Sequence, residues 1–188
     1  MTSGRDDLGL RSETVRRANL SAIVRSVHGS GPLSRSELVA RTGLTRSAIR
    51  GLIGELVADG FLVEGRGQPD GTPGRPSPLV CPRPESAVVL ALDIEVDSLG
   101  AALIGLGGDV LEHERLERRR GHSSLTDIVD DLGALAETVR SKRPAALPEI
   151  AVGVAVVGVV RRADGLVSMA PNLGWIDQPL GERLARVL

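Results

Sequence analysis

The chain has 188 residues, 41% hydrophobic and 25% charged, with a formal net charge of −1. That length holds an ordinary domain and a small one but not a large enzyme, and the composition is that of a folded globular chain, neither a disordered tail nor a membrane protein. A single cysteine excludes an internal disulfide and a multi-thiolate zinc site, while one Phe, one Trp and no Tyr leave little to stack on single-stranded nucleic acid.

Met1 to Leu10 carries no apolar run behind its charge, and the longest apolar stretch, Ile150 to Val160, falls far short of the ~20 residues of a membrane span. A cytoplasmic protein without export signal or membrane anchor is expected. Charge is uneven along the chain: 11 arginines stand against 8 acidic residues through Val80, and 12 basic against 16 acidic residues from Cys81 onward.

From Ser12 to His28, Leu20, Ile23, Val24 and Val27 fall at i, i+3, i+4 and i+7, which predicts an amphipathic helix ending near Gly29. Ser34-Arg35-Ser36-Glu37 has the spacing of a capping box and predicts a short helix over 35–41. Gly43 in Thr42-Gly43-Leu44 suits a left-handed turn, after which Thr45 caps a third helix running to about Asp59. In that helix Ile49, Leu52, Ile53, Leu56 and Val57 are expected to face the core, leaving Arg46, Ser47 and Arg50 outward at its N-terminal end.

Two short helices joined by a tight Gly-containing turn make a helix-turn-helix, whose second helix presents its N-terminal residues to base edges in the major groove. Two strands follow, one at Phe61 to Glu64 and one at Leu79-Val80, around a Gly/Pro-rich tip carrying Arg66 and Arg75. They predict a β-hairpin wing whose arginines lie on phosphates or in the minor groove. A solvated arginine face on a three-helix bundle is the plain alternative, and Gly51 and Gly54 each weaken the third helix by ~1 kcal/mol relative to Ala.

Arg17-Ala18-Asn19, Gly31-Pro32-Leu33-Ser34-Arg35-Ser36-Glu37-Leu38, Thr42-Gly43-Leu44-Thr45-Arg46-Ser47 and Gly74-Arg75-Pro76 resemble the winged helix-turn-helix of transcriptional regulators of the ROK (repressor, open reading frame, kinase) family. The resemblance implies a double-stranded DNA operator as partner, contacted by Ser34, Arg35, Thr45, Arg46, Ser47, Arg50, Arg66 and Arg75. It also implies a homodimer on a two-fold site.

Beyond a linker at 82–86, Ala87 to Ile94, Leu99 to Leu106 and Val110 to Leu116 read as strands, and Ser124 to Arg140 as an amphipathic helix ended by Pro144 and Pro148. Ile150 to Val157 is continuously apolar, the pattern of a parallel strand buried on both faces. The fold expected is α+β: a winged helix-turn-helix over 12–81, then an incomplete actin-like, ribonuclease-H-like α/β lobe over 87–188. Gly153-Val154-Ala155-Val156-Val157-Gly158-Val159-Val160, Asp164-Gly165 and Ala170-Pro171-Asn172-Leu173-Gly174-Trp175 are similar to the ROK signature region.

One departure separates the chain from ROK kinases, which the resemblance describes as having an Asp-x-Gly-x-Thr phosphate loop after the first strand. Here the segment is Asp93-Ile94-Glu95-Val96-Asp97-Ser98, whose bulk and two added carboxylates oppose a triphosphate. The resemblance also places the catalytic Asp, the zinc cluster and the second lobe beyond Leu188, so a truncated, non-catalytic lobe is expected, without cofactor or metal. It implies that Asn172 faces a sugar effector; a local Asx-type loop role for Asn172 stands beside that, as does a core role for Trp175. The alternative function is a regulatory interaction module that pairs with full-length relatives or another protein through an exposed sheet edge.

Overall fold

The structure, a computed structural model, describes residues 3–65, 78–119 and 124–188, and of 3–11 the backbone alone. It divides into two compact units, one running to Ser86 and taking in Leu106–Gly108, the other built from Ala87–Gly105 and Asp109–Leu188.

The first unit runs α1 (Ser3–Ser30), β1 (Leu33–Ser34), α2 (Arg35–Thr42), α3 (Arg46–Ala58), β2 (Leu62–Gly65) and β3 (Leu79–Pro82). The α1 helix starts well ahead of the predicted boundary and ends where the Gly31 amide donates to the Val27 carbonyl at 2.9 Å. Ile23 and Val27 are fully buried and pack with Leu38 of α2 and Ile49, Ile53 and Leu56 of α3. Val57, expected in that core, is instead exposed. At 100° per residue it sits about 80° round the helix from Ile49, past the edge of the contact with α1 and α2.

The sequence analysis missed β1, because two residues behind Pro32 show no alternation. Leu33 pairs with Val80 and Ser34 with Leu79, so the three-stranded sheet has the order β1-β3-β2. Three helices and a β2-β3 hairpin form a winged helix-turn-helix. The hairpin tip with Arg66 and Arg75 lies outside the described residues.

In the second unit β4 (Val88–Ile94), β5 (Ser98–Gly105) and β6 (Val110–Glu117) form an antiparallel meander, followed by α4 (Leu125–Ser141) and by β7 (Glu149–Val156). The last strand pairs parallel to β4, giving the order β6-β5-β4-β7. Meander, crossover helix and parallel return strand are the opening of an actin-like, ribonuclease-H-like lobe. Alternation along β4 is complete: Val88, Leu90, Leu92 and Ile94 are buried, in one cluster with Ile128, Leu132 and Ala136 of α4.

The expectation that β7 is buried on both faces is overturned. Its residues from Ile150 to Ala155 are exposed, with Ile150 67% accessible. A parallel strand is buried on both faces only where layers cover both. Here α4 packs against β5 and β6, and no described element covers β7. What ties β7 to the helix is an ion pair at its start, where Glu149 accepts from Arg140 Nε at 3.0 Å and Nη2 at 2.7 Å. That pairing holds the Glu149 carboxyl below its ordinary range.

The segment after β7 forms a second small sheet, which the sequence analysis also missed: β8 (Val159–Arg161), β9 (Leu166–Ala170) and β10 (Trp175–Gln178), in the order β10-β9-β8. The Asp164-Gly165 turn between β8 and β9 is closed by Arg161, whose Nε lies 2.8 Å from Asp164 Oδ1. The amphipathic helix α5 (Leu180–Val187) then buries Leu180 and Leu184. Its start needs Gly181, where an added Cβ would lie 2.4 Å from the Asp164 carbonyl oxygen.

Candidate nucleic-acid interface

The candidate surface is set by two caps and one turn. Ser34 Oγ accepts from the Glu37 amide at 3.2 Å while the Glu37 carboxylate accepts from the Ser34 amide at 2.7 Å, which starts α2 where the spacing predicts. Donation to its carboxylate from the Ser34 amide, and after that from the Ser34 side chain, holds the Glu37 carboxyl below its ordinary range. The α2 helix ends at Gly43, whose φ of 69° is left-handed, and its amide donates to the Val39 carbonyl. Thr45 Oγ1 then accepts from the Ala48 amide at 3.3 Å and starts α3.

With Ile49, Ile53 and Leu56 fixed in the core, Arg46, Ser47 and Arg50 are held on the exposed face of the first turns of α3. Neither Arg46 nor Arg50 makes a hydrogen bond or ion pair with a described residue. Together with Arg35, Ser36 and Val39 they line a shallow groove between α2 and α3. Ser47 Oγ shares a 3.0 Å hydrogen bond with Thr45 Oγ1.

Arg35 is placed differently from the other predicted donors. From the first turn of α2 it reaches β2, where its Nε donates to Glu64 Oε1 at 3.0 Å and its Nη2 to the same oxygen. Sequence reasoning missed Glu64, since a pair separated by 29 residues leaves no local pattern. The same holds for Glu55, which binds Arg16 of α1 at 2.9 Å and ties the first helix to the third.

In the second unit Asn172 is exposed in a short 3-10 turn (Pro171–Leu173) between β9 and β10. It lines a small cleft with Glu95, Leu99, Arg118, Ile128 and Leu173. Trp175, by contrast, is buried in the core of this unit. Glu95 accepts from Ser98 Oγ at 2.9 Å and from Arg115 Nη2 at 3.0 Å. Its carboxylate therefore links the turn after β4 to β6.

Among the described residues no three His, Cys, Asp or Glu side chains gather as a metal site, and no helix is long and apolar enough to cross a membrane.

Comparison with known proteins bears on both units. The xylose repressor of Caldicellulosiruptor bescii is 24% identical over 169 residues, covering 88% of this chain and 41% of that protein. The xylose repressor of Bacillus subtilis (strain 168) is 24% identical over 165 residues, covering 87% and 42%. This chain thus spans about two fifths of the length of the curated relatives it matches.

A crystal structure of a ROK family transcriptional regulator, described as a homolog of the E. coli MLC protein, superposes with a TM-score of 0.57 at 20% identity, over 92% of this chain and 43% of that one. The superposition takes in both units and supports the fold. Residues 89–188, more than half of the chain, match the ROK family itself, and the chain belongs to that family.

Proposed function

We propose that this protein is a sequence-specific, DNA-binding transcriptional repressor of the ROK type, with its DNA-binding unit at 12–81, a linker at 82–86 and a non-catalytic, sugar-responsive unit at 87–188. The observation that carries the reading is the pair Arg46 and Arg50, outward on the first turns of α3 with no partner among the described residues. A guanidinium at that point of a helix-turn-helix reaches base edges, and bidentate Arg to guanine is the commonest specific contact.

Ser47 adds an adaptable hydroxyl to the same face. The Ser34 and Thr45 hydroxyls accept from their helix amides and so set the angle at which α2 and α3 meet the DNA. Arg35, Arg66 and Arg75 fix register on the backbone. Xylose repressors among the relatives support a repressor that answers to a sugar, and Asn172 is the residue proposed to face it. Glu95, held by Ser98 and Arg115, supports a lobe without phosphoryl transfer. A homodimer on a two-fold operator in the cytoplasm completes the reading.

The test is fluorescence anisotropy of the chain on its own upstream intergenic duplex against a scrambled duplex at two salt concentrations. Preference for the native duplex is expected, with Arg46→Ala and Arg50→Ala each costing about 1–3 kcal/mol of that preference. Equal binding to both duplexes that collapses with salt, or none, overturns it. The exposed apolar strand β7 favours the second reading, a module that pairs with a relative or another protein, and that outcome would select it.

A further inference from the structure

Three arginines line the groove between α2 and α3, and among the described residues Arg35 alone of them is held by a carboxylate. The carboxylate is that of Glu64, on the β2 strand that leads into the wing, where it pairs across the sheet with Val80. Arg35 Nε donates to Glu64 Oε1 at 3.0 Å, and Nη2 donates to the same oxygen. With the two side chains 43% and 34% exposed, an ion pair this open to water contributes little to folding. A negative charge on a face otherwise suited to phosphates is therefore to be explained by what it does to Arg35.

Two effects follow from the geometry. The forked contact ties α2 to the wing strand, so the direction of the guanidinium is set before DNA arrives. A guanidinium has five N–H donors and this pair engages two of its nitrogens, which leaves donors for a phosphate oxygen. The Glu64 charge also offsets that of Arg35, and non-specific binding grows with each phosphate that a free cation neutralises. On a duplex where Arg46 and Arg50 find no base to hold the register, a restrained and offset arginine cannot follow the nearest phosphate.

We infer that Glu64 is a specificity-determining residue that acts by positioning Arg35: it lets Arg35 contribute in the operator register, where the remaining donors meet a phosphate, and suppresses its contribution on other sequences. The inference deepens the proposed operator recognition and rests on it.

The test is an anisotropy titration of the full chain on native and scrambled duplexes over a range of salt, for the wild type, Glu64→Ala, Arg35→Gln and the double variant. Glu64→Ala is expected to tighten binding to the scrambled duplex about 3- to 10-fold at low salt and to lower the preference for the native one. Its slope of log affinity against log salt should steepen by about 0.9, the mark of one more phosphate contact. In the Arg35→Gln background the same substitution should change neither slope nor preference. Unchanged scrambled binding or an unchanged slope in Glu64→Ala overturns the inference. So does a rise that persists with Arg35→Gln, which would make Glu64 a plain repeller of phosphates. Glu64→Gln, which keeps the side chain's shape and removes its charge, decides if Glu64→Ala does not fold. A wild-type chain without preference for the native duplex fails the DNA reading and this inference together, whereas a preference that Glu64→Ala leaves intact fails the inference alone.

Discussion

The α3 helix and the β7 strand are built from the same aliphatic residues, and their fates differ. On α3 the apolar stripe is pressed against α1 and α2, and Ile53 is 1% exposed. On β7 the apolar run is as long, yet Val152 and Val154 are each 42% exposed, because α4 lies over β5 and β6 and leaves β7 at the sheet edge. Apolar residues in a row state a demand for burial; whether it is met depends on a neighbouring layer.

That contrast gives the largest expected effect. Ile53→Ala should destabilise the chain by about 2–5 kcal/mol through lost burial and a residual cavity, whereas Val152→Ala should cost about 0.5 kcal/mol or less, as for an exposed position. Urea denaturation of both variants checks this. A comparable loss at Val152 would mean that β7 is covered in solution, and the contrast would fail.

Next comes the cap that starts α2. Ser34→Ala removes the acceptor for the Glu37 amide and should cost ~1 kcal/mol, read from the same urea curves. A like substitution at Ser124, which caps α4 through the Asp127 amide at 3.2 Å, should cost a similar amount. Equal losses would show that the two units depend on their helix starts alike.

Acid acts through lowered carboxyls in both units, Glu37 in the first and Glu149 and Asp164 in the second. Glu149 is held below its ordinary range by Arg140, so its contribution is present above the carboxyl's unfolded pKa of ~4.3 and fades as pH falls through its lower folded value. Asp164, lowered to about 2 beside Arg161, behaves likewise, its contribution fading between ~3.9 and about 2. Because Glu149→Gln removes one of these lowered carboxyls, stability followed from pH 6 to pH 2 should fall less steeply in that variant than in the wild type. Identical slopes would place the acid sensitivity elsewhere.

The smallest effect has the opposite sign. Gly51 and Gly54 lie on the exposed side of α3 with open space where a Cβ would go. Gly51→Ala and Gly54→Ala should each stabilise the first unit by about 0.5–1 kcal/mol. Weaker operator binding by these more stable proteins would show that the bare helix face is there for close approach of DNA. Unchanged binding would leave the glycines without a recorded use.

Local chemistry was legible wherever the cause of a feature was itself local. The Ser34 and Thr45 caps and the left-handed Gly43 stand where the spacing predicts, since each is decided within four residues. The α3 core residues followed from helical period, and only Val57, at the margin of the stripe, did not. The strands β1, β8, β9 and β10 were not legible because each is short and is defined by its pairing partner. The Arg35–Glu64 and Arg16–Glu55 pairs join residues far apart in sequence, which no motif encodes.

The sequence by itself determined where α2, α3 and α4 begin and end and which of their residues point inward, consequences of local periodicity and capping, while its motifs carried the resemblance to the ROK family. Only the tertiary structure decided that Arg35 is bound by Glu64 while Arg46 and Arg50 are not, and that β7 lies at an edge. Those outcomes depend on which surfaces meet when distant segments pack, and a linear pattern does not carry that information.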